Sequence, residues 1–139
     1  MIQRKQTLWL LLSSICSGLT FKFPFYVGTV APGTQGVEGP ELTATDNIYL
    51  ILLTVAVLGL AVVSIFLFKN RKKQVLLCYL GLLGALGLPV VYYNYSQYFQ
   101  QGAFALTSLL TVLIIIGFIF AIQGIRRDEK LIRDLNRLR

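Results

Sequence analysis

The chain has 139 residues, of which 55% are hydrophobic and 14% are charged, and it carries a net charge of +7 without a single histidine. A soluble domain has about 25% charged residues, and a chain this short cannot bury so much apolar surface in one core. Part of that surface must therefore face lipid, which predicts one integral membrane domain over residues 1–139. The lack of histidine removes the commonest general base, metal ligand and pH switch, which argues against an enzyme.

Residues 6–25 are predicted to form the first membrane-spanning helix. A short basic start precedes an apolar run over residues 7–21, as in a secretory signal peptide, but no Ala-x-Ala cleavage site follows. A lipoprotein would need a small residue before Cys16, where Ile15 stands. Fifteen helical residues cover about 22 Å of the ~30 Å hydrocarbon core, so we extend the span to residue 25, with Lys22 reaching the interface.

Three further apolar runs follow, and each is long enough to cross a bilayer. They cover residues 48–68, 74–93 and 103–124. Residues 27–47 lie between the first and second spans and are rich in Gly and Pro, which predicts an irregular loop, with a short hairpin as the alternative. The predicted fold is all-α, a four-helix transmembrane bundle.

The basic residues define the orientation of the bundle. Twelve of the thirteen Lys and Arg residues lie at the two termini or in the turn at residues 69–73, whereas Lys22 alone accompanies the acids of the opposite side. Positive residues favour the cytoplasmic side of a membrane. We therefore expect both termini in the cytoplasm and the loop at residues 27–47 on the outer side.

Residues 125–139 are predicted to continue the fourth span into the cytoplasm as an amphipathic helix. Their apolar residues recur at helical spacing, and Glu129–Arg133 and Lys130–Asp134 are opposite charges four residues apart. This tail either contacts anionic lipid headgroups or docks on a partner protein. Its mixed charges and its lack of aromatic residues argue against nucleic acid.

No Asp, Glu, Lys or Arg lies well inside a predicted span, unlike in most proton pumps and ion-coupled transporters. The main polar groups in or near the bilayer are hydroxyls, which serve either helix packing or a substrate path. They belong to Ser13, Ser14, Ser17, Thr20, Thr54, Ser64, Thr107, Ser108 and Thr111. Small residues four apart, such as Gly81 and Ala85, either pack helices of this bundle together or form a seam for another subunit.

The other candidate features are most simply explained by structural roles. Cys16 and Cys78 differ by about 9 Å in predicted depth, too far for a disulfide. The acids of the outer side match no metal-binding loop. Aromatic residues at the outer ends of the spans indicate an interfacial belt, with a groove for a lipid, a quinone-like ring or an extracytoplasmic partner as the alternative. These rings are Phe21, Phe23, Phe25, Tyr26, Tyr49, Tyr92, Tyr93, Tyr95, Tyr98, Phe99 and Phe104.

Both ends of the chain resemble a known family. Residues 1–7 read Met-Ile-Gln-Arg-Lys-Gln-Thr, residues 125–133 read Ile-Arg-Arg-Asp-Glu-Lys-Leu-Ile-Arg, and residues 136–139 read Asn-Arg-Leu-Arg. Together they resemble a domain-of-unknown-function family of short four-span inner-membrane proteins from Bacteroidota. The resemblance implies a tetraspan helical bundle in a Gram-negative inner membrane, with periplasmic outer loops. It implies no activity, cofactor or catalytic residue.

The sequence therefore nominates no catalytic, cofactor-binding or metal-binding residue. We expect a non-enzymatic accessory or scaffold subunit of a membrane protein complex. Its partners would be the lipid bilayer and other membrane subunits, contacted through the small-residue seams and the tail. The alternative is a small homo-oligomeric carrier or transporter of a neutral apolar or aromatic compound or lipid.

The orientation can be tested with reporter fusions. A periplasm-dependent reporter fused near Gly36 should be active, and the same reporter fused at Asn70 should be inactive, because the basic turn is expected to stay in the cytoplasm. A cytoplasm-dependent reporter should give the reverse pattern. A cytoplasmic signal from the Gly36 fusion would contradict the orientation.

Overall fold

The computed structural model describes residues 3–30, 33 and 39–137, and it contains helices and a small sheet. The four α-helices are α1 (Gln3–Leu19), α2 (Ile48–Phe66), α3 (Arg71–Ser96) and α4 (Leu109–Arg137). A short 3-10 turn, Leu106–Ser108, precedes α4. The three β-strands are β1 (Tyr26–Val30), β2 (Glu41–Leu42) and β3 (Phe99–Phe104).

The sheet corrects the expectation of an all-α chain. Its strands are antiparallel in the order β2-β1-β3, and Tyr26 pairs with Leu42 on one side and Phe104 on the other. The β1–β2 pair matches the hairpin alternative for the first loop, although Glu38 and most of the connection lie outside the described residues. β3 also occupies the first two residues of the fourth predicted span. Backbone groups that leave a helix need new partners, and β1, rich in Val, Thr and Tyr, provides them.

The ends of the helices follow local signals. α1 ends at Leu19, six residues before the predicted end of the first span, and a turn leads to Pro24 and the sheet. α2 begins where the Asn47 side chain accepts a hydrogen bond from the Tyr49 backbone N–H at 3.0 Å. α3 continues through Pro89 rather than breaking there.

Each helix packs against two others. α1 contacts α2 and α4, and α3 also contacts α2 and α4. We call the end where α1 and α3 begin the basic end, and the opposite end, covered by the strands, the sheet end. The largest fully buried side chains include Leu50, Leu88, Tyr92, Ile114 and Phe118.

Three of the helical segments are long and apolar enough to cross a membrane within the part of the chain that the structure describes. They are Ile48–Phe66, Arg71–Ser96 and Leu106–Arg137. The described part of α1 has 17 residues and covers about 25 Å, less than the ~30 Å hydrocarbon core. Large apolar side chains such as Leu52 and Leu83 point outward from the helices. Exposed apolar faces of this kind suggest a membrane protein.

The hydroxyls within the helices bond to backbone carbonyls. Ser13 Oγ donates to the Ile114 carbonyl at 3.2 Å, and Ser17 Oγ donates to the Thr54 carbonyl at 3.3 Å, so both link α1 to a neighbouring helix. Ser14, Thr20, Ser64 and Thr111 donate to carbonyls three or four residues earlier, at 2.6–2.9 Å. Ser13 and Ser17 therefore join helices, as the packing interpretation predicts, whereas the other four hydroxyls bond within their own segment.

Small residues bring helices of this chain together. A Cβ atom at Gly81 would lie 2.5 Å from the Phe118 ring, and one at Gly117 would lie 2.9 Å from the Trp9 carbonyl oxygen. The first contact joins α3 to α4, and the second joins α1 to α4. Both glycines thus serve close packing inside the chain.

We expect Gly117→Ala to destabilise the fold by about 1–3 kcal/mol, because the added methyl group would overlap the α1 backbone. Gly59→Ala is the matched control, since no atom lies within 4 Å of a Cβ at Gly59. The control should be neutral or slightly stabilising. Thermal unfolding of both variants in mild detergent measures the difference, and equal midpoints would contradict this α1–α4 packing.

Candidate functional site

A cleft of about 480 Å³ opens between α1 and α4 at the basic end. Its walls combine aromatic, amide and charged side chains from the two helices. They are Lys5, Gln6, Trp9, Phe120, Gln123, Gly124, Arg127, Asp128 and Leu131. The cleft brings two aromatic rings and a buried ionisable group together.

Gly124 allows α1 to approach α4 at the floor of the cleft. A Cβ at Gly124 would lie 2.8 Å from Gln6 Cγ, so a larger residue would displace the Gln6 side chain. The same close approach occurs two turns deeper, at Gly117. Together they place the first turns of α1 beside the segment of α4 that ends in Asp128.

Asp128 is buried in this contact, with only 6% of its surface exposed. Gln6, which is equally buried, donates a hydrogen bond from Nε2 to Asp128 Oδ2. The second carboxylate oxygen, Oδ1, is buried and has no hydrogen-bond partner among the described residues. A buried acceptor without a donor costs roughly 1–3 kcal/mol, and more when it is charged. Asp128 is therefore the residue of the cleft whose hydrogen bonding is incomplete.

The wall of the cleft changes from apolar to basic along α4. Trp9 and Phe120 form the part of the cleft farther from the basic end, with ring centroids 4.7 Å apart and planes tilted by 30°. Lys5 and Arg127 are exposed at the rim. The cleft thus offers aromatic surface on one side and cationic groups on the other.

A second glutamine occupies a comparable place at the start of α3. Gln74 is buried, and its Nε2 donates to the Ser64 carbonyl of α2 at 2.9 Å. Gln6 and Gln74 therefore both tie the beginning of one helix to a neighbouring helix. Only the Gln6 contact involves an ionisable partner.

The tail of α4 is the other notable feature of the basic end. α4 runs without a break to Arg137, so the predicted continuation of the fourth span is confirmed. Every residue from Leu131 to Arg137 is exposed, including Ile132 at 44% and Leu135 at 66%. The predicted Glu129–Arg133 pair is present at 3.7 Å. Residues 138 and 139 lie outside the described part of the chain.

The aromatic residues of the sheet end differ in how deeply they are buried. Phe25 stacks on Tyr92 at 4.3 Å and meets Phe104 edge-on at 5.7 Å. Phe25, Tyr92 and Phe99 are buried, so these three rings pack the fold under the sheet rather than forming a belt. The exposed rings, which fit the belt interpretation by position, are Phe23, Tyr49, Tyr93, Tyr98 and Phe104.

The remaining candidates of the sequence show no joint site. Cys16 and Cys78 are both free, so the prediction that they do not pair is confirmed. Asp46 accepts a hydrogen bond from the Thr43 backbone N–H and closes a turn. Within residues 3–30, 33 and 39–137, no group of three or more Cys, Asp or Glu side chains is arranged to hold a metal ion.

Sequence reasoning missed Asp128, which it counted among the charges of the tail. The signal was present as a position in the apolar stripe of α4. Successive members of that stripe are alternately four and three positions apart in the sequence, and Asp128 takes the place of an apolar residue within it. The stripe consists of Ile114, Phe118, Ala121, Ile125, Asp128, Ile132 and Leu135. An acid at such a position is expected to be buried.

Within the described residues, three helices are long and apolar enough to cross a membrane, which suggests a small helical membrane protein. The family model called Domain of unknown function (DUF4293) matches residues 2–138, so the chain belongs to that family. The resemblance of the chain ends to a family of unknown function is thus confirmed. Neither the curated proteins nor the solved structures contain a match to the chain.

We expect Gln6→Met to lower the free energy of unfolding by roughly 1–3 kcal/mol, because it leaves the Asp128 carboxylate without a donor. In an Asp128→Leu background, the same change should be nearly neutral, since no buried acceptor remains. Gln123→Met is the control, because Gln123 is exposed at the rim. Chemical unfolding in detergent measures all four variants, and additive effects of the two core changes would contradict the Gln6–Asp128 contact.

Proposed function

We propose that the chain is a non-enzymatic accessory or scaffold subunit of an inner-membrane protein complex. In this proposal it crosses the membrane four times, with both termini in the cytoplasm, and the tail of α4 is the docking element. The observation that carries the proposal is the uninterrupted continuation of α4 beyond the other helices, with its apolar side chains exposed. The inner membrane and the Bacteroidota origin rest on the resemblance of the chain ends.

The length of α4 favours docking over lying on the membrane. Its 29 residues extend about 43 Å, and the hydrocarbon core takes up only about 30 Å of that length. An unbroken helix continues along its own axis, so the last two to three turns would stand in the cytoplasm. A helix that lies in the interface would need a bend where α4 leaves the bilayer.

The apolar stripe of the tail favours a helical partner. Ile132 and Leu135 continue the same spacing as the buried Ile125 and Phe118, so the exposed stripe is an extension of the helix core. A partner helix with apolar residues at heptad spacing could continue that core below the membrane. Basic groups flank the stripe, and acidic groups on the partner would complement them.

α1 is the shortest of the four helices, and its surroundings support a fourth crossing. It packs along α4, which is itself a candidate span, and residues 20–25 carry the chain on to the sheet end. Lys22 is exposed beyond the end of α1, where it can reach the far interface.

A carrier for a neutral apolar or aromatic compound or lipid is the second candidate function. The cleft between α1 and α4 favours it, because aromatic rings line a space of about 480 Å³. Under this proposal the protein would form a homo-oligomer and move a compound, without foreign subunits at fixed stoichiometry.

The docking proposal is tested by purification of the tagged protein from its own host at native expression. The double variant Ile132→Gln/Leu135→Gln should recover partners at least about tenfold less well, as expected for a loss of roughly 1.4 kcal/mol at the interface. Truncation after Leu131 should do the same while leaving Asp128 and the cleft in place. Quantitative mass spectrometry of the recovered complexes gives the stoichiometry.

The double variant Asp134→Asn/Asn136→Ala is the control, since both residues are exposed on the tail, outside the apolar stripe and its basic flanks. It should recover partners within about twofold of the wild type, because surface charges contribute little. Unchanged recovery with both the stripe variant and the truncation would contradict docking through the tail. Recovery of a lone homo-oligomer from the wild type would favour the carrier.

A further inference from the structure

The apolar, cationic and acidic groups of the α1–α4 cleft match the successive parts of a phospholipid molecule. Its deep wall is apolar, its rim is cationic, and a buried carboxylate with one unpartnered oxygen closes its floor. We propose that the cleft binds one phospholipid whose headgroup ends in a primary ammonium group, as in phosphatidylethanolamine. The proposal concerns the cleft alone and does not depend on docking through the tail.

The apolar part of the cleft suits an acyl chain or the glycerol backbone. Phe120 is substantially exposed and Trp9 is half-buried, and their paired rings lie farther from the basic end than Lys5 and Asp128 do. Phe120 and Asp128 are eight residues apart on α4, or about 12 Å along its axis. A ligand that touches both must therefore be amphiphilic and extended along the helix.

The rim of the cleft suits a phosphate. Lys5 comes from α1 and Arg127 from α4, so their two cationic groups approach the opening from opposite sides. Both are exposed, and among the described residues neither forms an ion pair within 4 Å. Lys and Arg are the usual side chains for phosphate recognition.

Asp128, at the floor of the cleft, determines which terminal group of the lipid headgroup is preferred. Asp128 Oδ1 has no donor, and among the described residues the carboxylate has no cation within 4 Å. An ethanolamine ammonium supplies a positive charge and three N–H donors on a flexible two-carbon arm, so it can reach a recessed oxygen. A choline group carries the same charge, but its three methyl groups leave no N–H donor and make the end bulky. A glycerol headgroup offers hydroxyl donors without the charge.

The test is a lipid titration of the purified full-length protein in detergent, followed by native mass spectrometry. The probes are dioleoyl phosphatidylethanolamine, its mono- and dimethyl derivatives, phosphatidylcholine and phosphatidylglycerol, all with the same acyl chains. The wild type should bind phosphatidylethanolamine at least tenfold more tightly than phosphatidylcholine. Affinity should fall at each methylation step, because each removes one N–H donor. Phosphatidylglycerol should fall between the two extremes.

Three variants locate the effect. Asp128→Asn keeps the shape and still accepts from Gln6, and it should reduce the preference for phosphatidylethanolamine over phosphatidylcholine to about onefold. Arg127→Gln should weaken all five lipids to a similar degree, because each carries the phosphate. Glu129→Gln is the control, since Glu129 lies beside Asp128 in sequence but pairs with Arg133 on the surface. It should keep the full preference.

Equal affinities of the wild type for phosphatidylethanolamine and phosphatidylcholine would overturn the proposal. So would a preference that survives in Asp128→Asn, or tightest binding of phosphatidylglycerol, which would indicate a site for anionic lipid alone. If Asp128→Asn does not fold, the methylation series on the wild type still decides, because it requires no variant. Neither result depends on whether partner subunits are recovered through the tail.

Discussion

The close approach of α1 to α4 is the constraint from which the basic end of the protein follows. Gly117 and Gly124 have no side chain, so the α1 backbone and Gln6 lie directly against α4. Ser13 adds a hydrogen bond to the α4 backbone at the same contact. In lipid, where apolar side chains gain little by leaving their solvent, small residues and interhelical hydrogen bonds become the main source of helix association. This contact brings Gln6 to Asp128 and leaves the cleft between the two helices.

The buried carboxylate of Asp128 divides the apolar stripe of α4 into a buried part and an exposed part. Up to Ile125 the stripe is apolar and packs inside the fold; at Asp128 it becomes polar, and at Ile132 and Leu135 it is apolar again but exposed. A carboxylate with one bonded and one unpartnered oxygen is a poor structural element, since an apolar residue of similar size would cost less. In the proposed account, a ligand supplies the missing donor to this carboxylate, and a partner covers the exposed part of the stripe.

Much of the helical part of the fold could be predicted because lipid demands long apolar runs, and such runs are visible in a single sequence. The basic turn could be predicted from its charges, and the continuation of α4 could be predicted from the spacing of its apolar residues. The sheet was harder, because β1 and β3 are about seventy residues apart in the sequence. In addition, β3, with Gln100, Gln101 and Gly102, carries little strand signal of its own. The hydrogen bond between Gln6 and Asp128 joins residues more than a hundred positions apart, and no local pattern in either segment shows that contact.

The central claim is that the tail of α4 stands free of the membrane as an exposed apolar stripe. Spin-label accessibility in lipid nanodiscs tests it most directly, with single cysteines placed in turn at positions 129–136 of a variant in which Cys16 and Cys78 are replaced by Ala. The account predicts high collision with a water-soluble nickel chelate and low collision with oxygen at every position, Ile132 and Leu135 included. Oxygen collision that peaks at Ile132 and Leu135, with the intervening positions facing water, would show that the tail lies on the bilayer and would contradict the account.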